Sequence, residues 1–474
     1  MGNCSTTLQP SSPSAEPEKR TIQSFPPDSS SKATTDSDPV ISRRFSNLQL
    51  SPSAASMSTD GGEFATGGAH PHDSIPRIKS LLSRASDLMS VASNSGSPSV
   101  NGAGVRRKLS RVTHDPLCHL DVVHTHVRDV ITHVLGQKKD QDRAVCVPRL
   151  LPGVLYCGVF DGHGKNGEIR SELATTELPR MIAERLTEKL DAGKELEEAD
   201  LHRALDESYL QFHKDLDRLY EETVFKQAVD QAKQHYGDEA NENNVRMPQD
   251  GGTTATSVLI VGDLLVIGWV GDSRAVLCRR AAPGRNRILA RFSSRLKIEA
   301  ITEDHNVSTN NMEEMERVAE QGGEIYGSHL TAYQAEGMLQ LTRSLGDSPF
   351  HRTGLVVSKP GVVTVSLADE SMDPMMFLLV ASDGLWDRFS NKEALSFVYK
   401  RLKKERYCDQ TLTEQQRGEI LIECARALEN EAVKRATDKK AQSDDITVLI
   451  LTFSKGWELD YQEDPAQQAP VPNF

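Results

Sequence analysis

Aspartate recurs in this 474-residue chain where apolar runs begin or end. "LYCGVFDGHGKNG" (Leu155–Gly167) closes an apolar run on Asp161, and Gly162, His163 and Gly164 follow. "FLLVASDGLWDR" repeats the plan with Asp383 and Asp387, and "LLVIGWVGDSRAVL" places Asp272 just after a run. "AQSDDITVLILTF" sets Asp444 and Asp445 just before one, as "KKDQDRAVCV" does with Asp140 and Asp142. A single acid of this kind is ordinarily a turn or cap residue. Five such clusters argue for more, because carboxylates gathered together repel and rise in pKa unless a cation sits among them. Oxygen donors without His or Cys partners select Mg²⁺ or Mn²⁺ over zinc. Asp161 is therefore expected to bind a metal, and Gly162 to let its carbonyl approach one without side-chain crowding. The glycines do not form a P-loop, which would carry a lysine in G-x-x-x-x-G-K-[ST].

The acids need rigid elements to hold them. Apolar runs predict strands over Val154–Phe160, Thr253–Val261, Leu264–Val270, Met375–Ala381 and Ile446–Phe453. Gly262-Asp263 between two of them is a hairpin signal, so the sheet is at least partly antiparallel. Helical patterns cover about 166–190, 196–235, 391–404 and 412–437. Hairpins plus helix pairs point to α+β layers rather than alternating βαβ units. "DEANENNVRMPQDGG" and "RRAAPGRNRILARFSSRLK" read as insertions.

Composition divides the chain. Residues 1–115 are rich in Ser, Pro, Gly, Ala and Thr and are expected to be a disordered tail. A globular domain is expected over 116–455, and a flexible tail over 456–474. One island, "RIKSLLSRASDLMSVA", spaces Ile78, Leu81, Leu82, Ala85, Leu88, Met89 and Ala92 as on a helix face, with Arg77, Lys79 and Arg84 around it. It reads either as a partner or membrane-surface helix or as a transient helix without a role. The net charge is −13, although the first 115 residues carry 12 Lys/Arg against 10 Asp/Glu. The acidic body argues against nucleic acid as a partner. Seven scattered cysteines with no C-x-x-C argue against a disulfide framework or zinc site and for a reducing compartment. No apolar run approaches the 18 residues of a membrane span, and no secretory h-region follows Met1.

The ordered set "DQDR", "FDGHGKNG", "GGTTATSVLIVGDLLVIGWVGDSRAVL", "TEDHN", "LTRSLGD", "VASDGLWD" and "DDITVLIL" resembles the PPM family, the type 2C metal-dependent protein serine/threonine phosphatases, over about residues 116–455. The resemblance implies a four-layer α-β-β-α sandwich of two antiparallel sheets flanked by helices, with two Mg²⁺ or Mn²⁺ ions in a cleft at one end. By the same resemblance Asp161 bridges the two metals, the Gly162 carbonyl binds one of them, and Asp142 reaches a metal through water. Asp383 and Asp444 are further metal-site acids, Asp272 and Asp387 hold a weaker third ion in some members, and His163 is the general acid. "LTRSLGD" (Leu341–Asp347) lies beside the cleft. Two departures stand out. Gln137 occupies the place of the arginine that often holds the substrate phosphate, and Lys138 and Lys139 beside it could serve as point charges but not as a bidentate fork. Asp445 stands where Asp-Asn is usual, and its extra charge would either tighten metal binding or repel phosphate.

Two metal ions about 3.5–4 Å apart generate a nucleophilic water at neutral pH and neutralise phosphoryl oxygens. A departing serine or threonine also needs a proton, and His163 is placed to give one. No cysteine is followed by arginine six residues on, and no G-x-S-x-G is present, so cysteine-phosphatase and serine-hydrolase chemistries are excluded. The expected function is hydrolysis of phosphoserine and phosphothreonine in phosphorylated protein substrates by a monomeric enzyme. The rivals are a pseudophosphatase scaffold, favoured by Gln137 and Asp445, and attack on a small-molecule phosphate. The start "MGNCSTTLQP" fits M-G-x-x-x-[ST] with Gly2 for myristate and Thr6 at the last place. One acyl chain anchors only marginally. Cys4 is near enough for palmitate, and the basic stretches Ser42–Ser46 and Arg106–Arg111 would add attraction to anionic lipid. The expectation is a lipid anchor on the cytoplasmic face of a membrane, in particular the plasma membrane.

Overall fold

The computed structural model describes residues 83–84, 127–136, 140–237, 245–280, 296–307, 311–332, 334–367, 377–409 and 411–453. They belong to one unit, Ala69–Phe474. The strands in chain order are β1 Val127–Leu135, β2 Arg143–Leu151, β3 Val154–Phe160, β4 Gly162–His163, β5 Gly252–Thr253, β6 Ala255–Val261, β7 Leu264–Val270, β8 Arg274–Arg280, β9 Leu296–Ala300, β10 Glu324–Tyr326, β11 His329–Thr331, β12 Leu345–Gly346, β13 Gly361–Ser366, β14 Phe377–Ala381 and β15 Ile446–Phe453. Two five-stranded sheets run β1-β15-β14-β8-β9 and β13-β7-β6-β3-β2, and every pairing within them is antiparallel. Small sheets β12-β5-β4 and β10-β11 complete the set among the described residues.

The two large sheets pack face to face. Along β3, Leu155, Cys157 and Val159 enter a core shared with Leu378, Val380, Leu449 and Leu451 of the other sheet. The alternate residues Val154, Tyr156 and Phe160 pack instead beneath the helices Gly167–Asp191 and Glu198–Tyr220. Strand β15 divides the same way: Ile446, Val448 and Ile450 face the helices Asn391–Lys404 and Glu414–Asp438. Side chains alternate across a strand, so a strand covered on both faces is apolar throughout, and β3 and β15 are buried at every residue. The result is the expected α-β-β-α sandwich.

Parity of strand direction gathers the acids. β2 is antiparallel to β3, so the residue before β2 (Asp142) and the residue after β3 (Asp161) lie at one end of their sheet. Two further antiparallel steps, β3 to β6 and β6 to β7, bring the end of β7, and with it Asp272, to that same end. In the other sheet the end of β14 and the start of β15 coincide, which places Asp383 near Asp444.

The structure revises several expected boundaries. The run Thr253–Val261 divides: Gly252–Thr253 pairs within the small sheet and Ala255–Val261 within the large one. The 196–235 helix is broken by a π-helical turn, Glu221–Phe225, before Lys226–Tyr236. The second half of the stretch read as an insertion at 238–252 is part of the folded body. There the carboxylate of Asp250 pairs with Arg170 at 2.7 Å, and these side chains are 1% and 0% exposed. The stretch at 279–297 begins and ends in paired strands, β8 and β9. Of the 77–92 island only Ser83 and Arg84 are described; they are helical, and Arg84 pairs with Glu177 at 2.6 Å.

Arg170 ties the first long helix to the segment that leads into β5. Removing one partner of a buried pair strands the other charge, at a cost of about 3–5 kcal/mol. Arg170→Met is expected to lose stability on that scale in urea denaturation. A loss below about 1 kcal/mol would mean that Asp250 is secured by other contacts.

Candidate active site

A cleft of about 260 Å³ opens where the acids gather. Asp161, Gly162, His163, Asp272, Asp383 and Asp444 line it. Asp142 lies outside the lining, buried to 2% exposure. Asp387 also lies outside the lining, and it is exposed. Gln137, Lys138 and Lys139 lie outside the described residues, as do Gly2 and Cys4.

Each acid is fixed by its neighbours. Asp161 is the single residue between β3 and β4. Its N–H donates to Thr254 Oγ1 at 3.0 Å, and its carbonyl accepts from the Thr254 N–H at 2.9 Å. Asp142 Oδ2 accepts from Ser382 Oγ at 2.7 Å and Thr447 Oγ1 at 2.9 Å, which joins the two sheets at the site. Asn306 donates to Asp272 at 3.0 Å. Gly162 is required sterically: a Cβ there would fall 2.5 Å from the Gly167 carbonyl oxygen and 2.6 Å from that of Gln141. Asp445 is buried, and its carboxylate accepts the Gln141 N–H at 3.0 Å. It therefore anchors the backbone next to Asp142.

The acids are electrostatically unhappy without a cation. Burial lifts Asp142 to about 7 against the hydrogen bonds it receives, and the charge of Asp445 adds to the rise. Burial, then the charges of Asp142, Asp383 and Asp272, hold Asp161 well above the usual carboxylate range. Burial, then Asp272, Asp387 and Asp444, do the same to Asp383. Asp272 is lifted by burial to about 6, opposed by Asn306. Among the described residues no three His, Cys, Asp or Glu side chains converge as a ready-made metal cage. A hard cation that keeps its waters needs only one or two carboxylates, and this carboxylate-rich cleft suits such an ion.

His163 Nε2 lies 2.7 Å from Asp347 Oδ2, across 184 residues of sequence. Burial disfavours the charged imidazole, but the Asp347 carboxylate and its hydrogen bond outweigh this and raise the His163 pKa. Asp347 is 3% exposed and has left-handed backbone (φ 45°), and its N–H donates to the Gly251 carbonyl at 3.1 Å. Gly252 makes room for it: a Cβ there would sit 2.1 Å from Asp347 Oδ2. Sequence reasoning placed "LTRSLGD" beside the cleft but missed Asp347 as the partner of His163. It missed Asn306, Ser382 and Thr447 too, since each acts through a fold contact that no local pattern announces.

A profile described as "Protein phosphatase 2C" matches residues 156–441. The chain belongs to the protein phosphatase 2C family. Among its relatives, "Protein phosphatase 1L" of Bos taurus is 29% identical over 250 residues, 53% of this chain and 56% of that protein. "Probable protein phosphatase 2C 47" of Oryza sativa subsp. japonica is 27% identical over 395 residues, 81% of this chain and 80% of the relative. The match thus spans little more than half of the bovine protein. Of solved structures, the serine-threonine phosphatase 2C from Toxoplasma gondii is similar at a TM-score of 0.46 and 18% identity, covering 70% of this chain and 96% of that one.

Asp142→Asn keeps an acceptor for Ser382 and Thr447 and removes the charge. Because the folded pKa lies above the unfolded one, the penalty of ionisation grows as pH rises from the ordinary carboxylate range to about 7 and is complete above it. In metal-free buffer at pH 8 the variant is expected to be more stable than wild type by about 1–3 kcal/mol, read from urea unfolding. A loss of stability would show that ionised Asp142 is not penalised by its burial and the charge of Asp445.

Proposed function

We propose that this chain hydrolyses phosphoserine and phosphothreonine in proteins, with Mg²⁺ or Mn²⁺ as its cofactor. The observation that carries the reading is the meeting, in one cleft of a protein phosphatase 2C chain, of high-pKa carboxylates with an aspartate-paired histidine. Asp161, the Gly162 carbonyl, Asp383 and Asp444 would hold the metals, Asp142 would act through water, and Asp272 with Asp387 would serve a weaker third ion. When bound, the metals would acidify a water and neutralise phosphoryl oxygens. The chain's own contribution to the leaving group is a proton. Asp347 favours the protonated form of His163 and fixes its ring in the cleft, where a departing serine or threonine oxygen takes that proton.

The carboxylate of Asp445, one of the two departures favouring a pseudophosphatase, is accounted for as the acceptor of the Gln141 N–H. That structural role supports the reading, although Asp445 also lines the cleft and its charge acts on Asp142. We further propose that residues 1–115 form a tether, acylated at Gly2 and Cys4, that holds the 116–455 domain at the cytoplasmic face of the plasma membrane. Tethering would raise the effective concentration of membrane-bound phosphoproteins.

Turnover of phosphopeptides is expected to require Mn²⁺ or Mg²⁺, to vanish in EDTA and to return on adding metal; full activity after chelation would refute the reading. His163→Ala and Asp347→Asn are expected to lower kcat on phosphopeptides by about 10²–10³ and to affect p-nitrophenyl phosphate far less, because nitrophenolate leaves unprotonated. Equal losses on both substrates would remove the pair from the acid role. Gly2→Ala is expected to move the protein to the soluble fraction of cells with purified activity unchanged, and full membrane retention would exclude the anchor.

A further inference from the structure

Two cysteines stand directly opposite each other beneath the site. β2 and β3 pair antiparallel with Cys146 across from Cys157, three residue pairs from Arg143 and Phe160, which adjoin Asp142 and Asp161. The Cys157 and Cys146 sulfurs are 3.1 Å apart. Both are thiols. Opposed residues of an antiparallel pair have Cα atoms about 4.5–5.5 Å apart, inside the span a disulfide bridges. Bonding therefore needs the sulfurs to close by only about 1 Å, with no change of register. The two cysteines differ in access. β2 is the edge strand of its sheet and Cys146 is half-buried, whereas Cys157 is 0% exposed. Cys146 packs against the margin of the core between the sheets, so it is the thiol of the pair that a small oxidant reaches first, with Cys157 adjacent to resolve it.

We propose that Cys146 and Cys157 form a reversible disulfide in response to hydrogen peroxide, locking edge strand β2 to β3 under the candidate active site. The Cys146 thiolate attacks a peroxide oxygen, the O–O bond breaks, and Cys146 becomes a sulfenic acid while hydroxide leaves and is protonated to water. Cys157 then loses its proton and attacks the Cys146 sulfur; the S–S bond forms and the sulfenic oxygen departs as a second water. Two thiols give up two electrons and one hydrogen peroxide is reduced. The bond covalently joins the strands that present Asp142 and Asp161, so the site stays in register even when the edge strand would otherwise loosen. The inference does not depend on the enzymatic reading, because thiol chemistry and strand register alone carry it.

The test treats the folded full-length chain with a small excess of hydrogen peroxide, quenches with N-ethylmaleimide and maps peptides without reduction. The expected product is a peptide pair linked through Cys146 and Cys157, lighter by two hydrogens and released by dithiothreitol. The oxidised chain is expected to unfold at least about 2 °C higher than the reduced one. In Cys157→Ser, Cys146 is expected to accumulate a dimedone adduct, and in Cys146→Ser, Cys157 is expected to stay unmodified. A wild-type Cys146 that accumulates as sulfenic or sulfinic acid without the link would overturn the proposal. So would oxidation of other cysteines while this pair stays reduced, or links between other cysteines in its place. All of these are read by mass and distinguish the proposal from any failure of phosphatase activity.

Discussion

The structure turns on a repulsion. Asp142, Asp161, Asp272 and Asp383 are gathered at one end of two stacked sheets, and burial holds each above its ordinary pKa; neighbouring carboxylates add to the rise, Asp445 at Asp142, Asp304 at Asp272, and the cluster's own members at Asp161 and Asp383. A chain gains nothing in stability from such an arrangement, since charges removed from water without a partner are costly. The surrounding fold must over-determine it. It does so through fully buried strands that stop at the acids, through hydroxyls of Ser382 and Thr447 on one carboxylate oxygen, and through an Asn306 amide on Asp272. Protons relieve this penalty one carboxylate at a time, whereas a divalent cation would act on several of the acids together.

The histidine partnership has the same character. His163 follows Asp161 by two residues and shares its small strand pairing with Gly252. Asp347 reaches the ring only because the backbone at Gly252 leaves its carboxylate room and because Asp347 itself adopts a left-handed conformation. Such strain in a buried acid is sustained by packing elsewhere. Here the hydroxyl of Ser344, 2.5 Å from Asp347 Oδ2, and the Gly251 carbonyl hold it.

Much of this was legible in sequence because a doubly covered strand writes its own signature. An unbroken apolar run bounded by aspartate marks both the strand and the acid at its end, so the positions of Asp161, Asp383 and Asp444 at strand ends were legible in the residues, while the roles of Asp383 and Asp444 were implied only by the family resemblance. The sandwich followed from the family resemblance and from the Gly262-Asp263 hairpin. What could not be read depends on long-range contact. Asp347 lies 184 residues from His163 in a stretch without apolar periodicity. The division of 253–261 at Thr254 is set by a hydrogen bond to Asp161, not by any turn residue. Asp445 read as extra charge at the site; the structure keeps that charge in the cleft lining and adds a role no local pattern announces, the acceptor of the Gln141 N–H. The π-helical turn at Glu221–Phe225 falls inside an uninterrupted helical pattern; the structure offers no local sequence signal for it.

The most direct measurement of the central claim is calorimetric titration of the metal-free chain with MnCl₂ near pH 7, repeated in buffers of different ionisation enthalpy. If the strand-end acids are a cation site held partly protonated by burial and by one another's charge, Mn²⁺ will bind and release protons to the buffer, and Asp161→Asn will abolish that binding. Binding that releases no protons, or that survives in Asp161→Asn unchanged, would contradict the account.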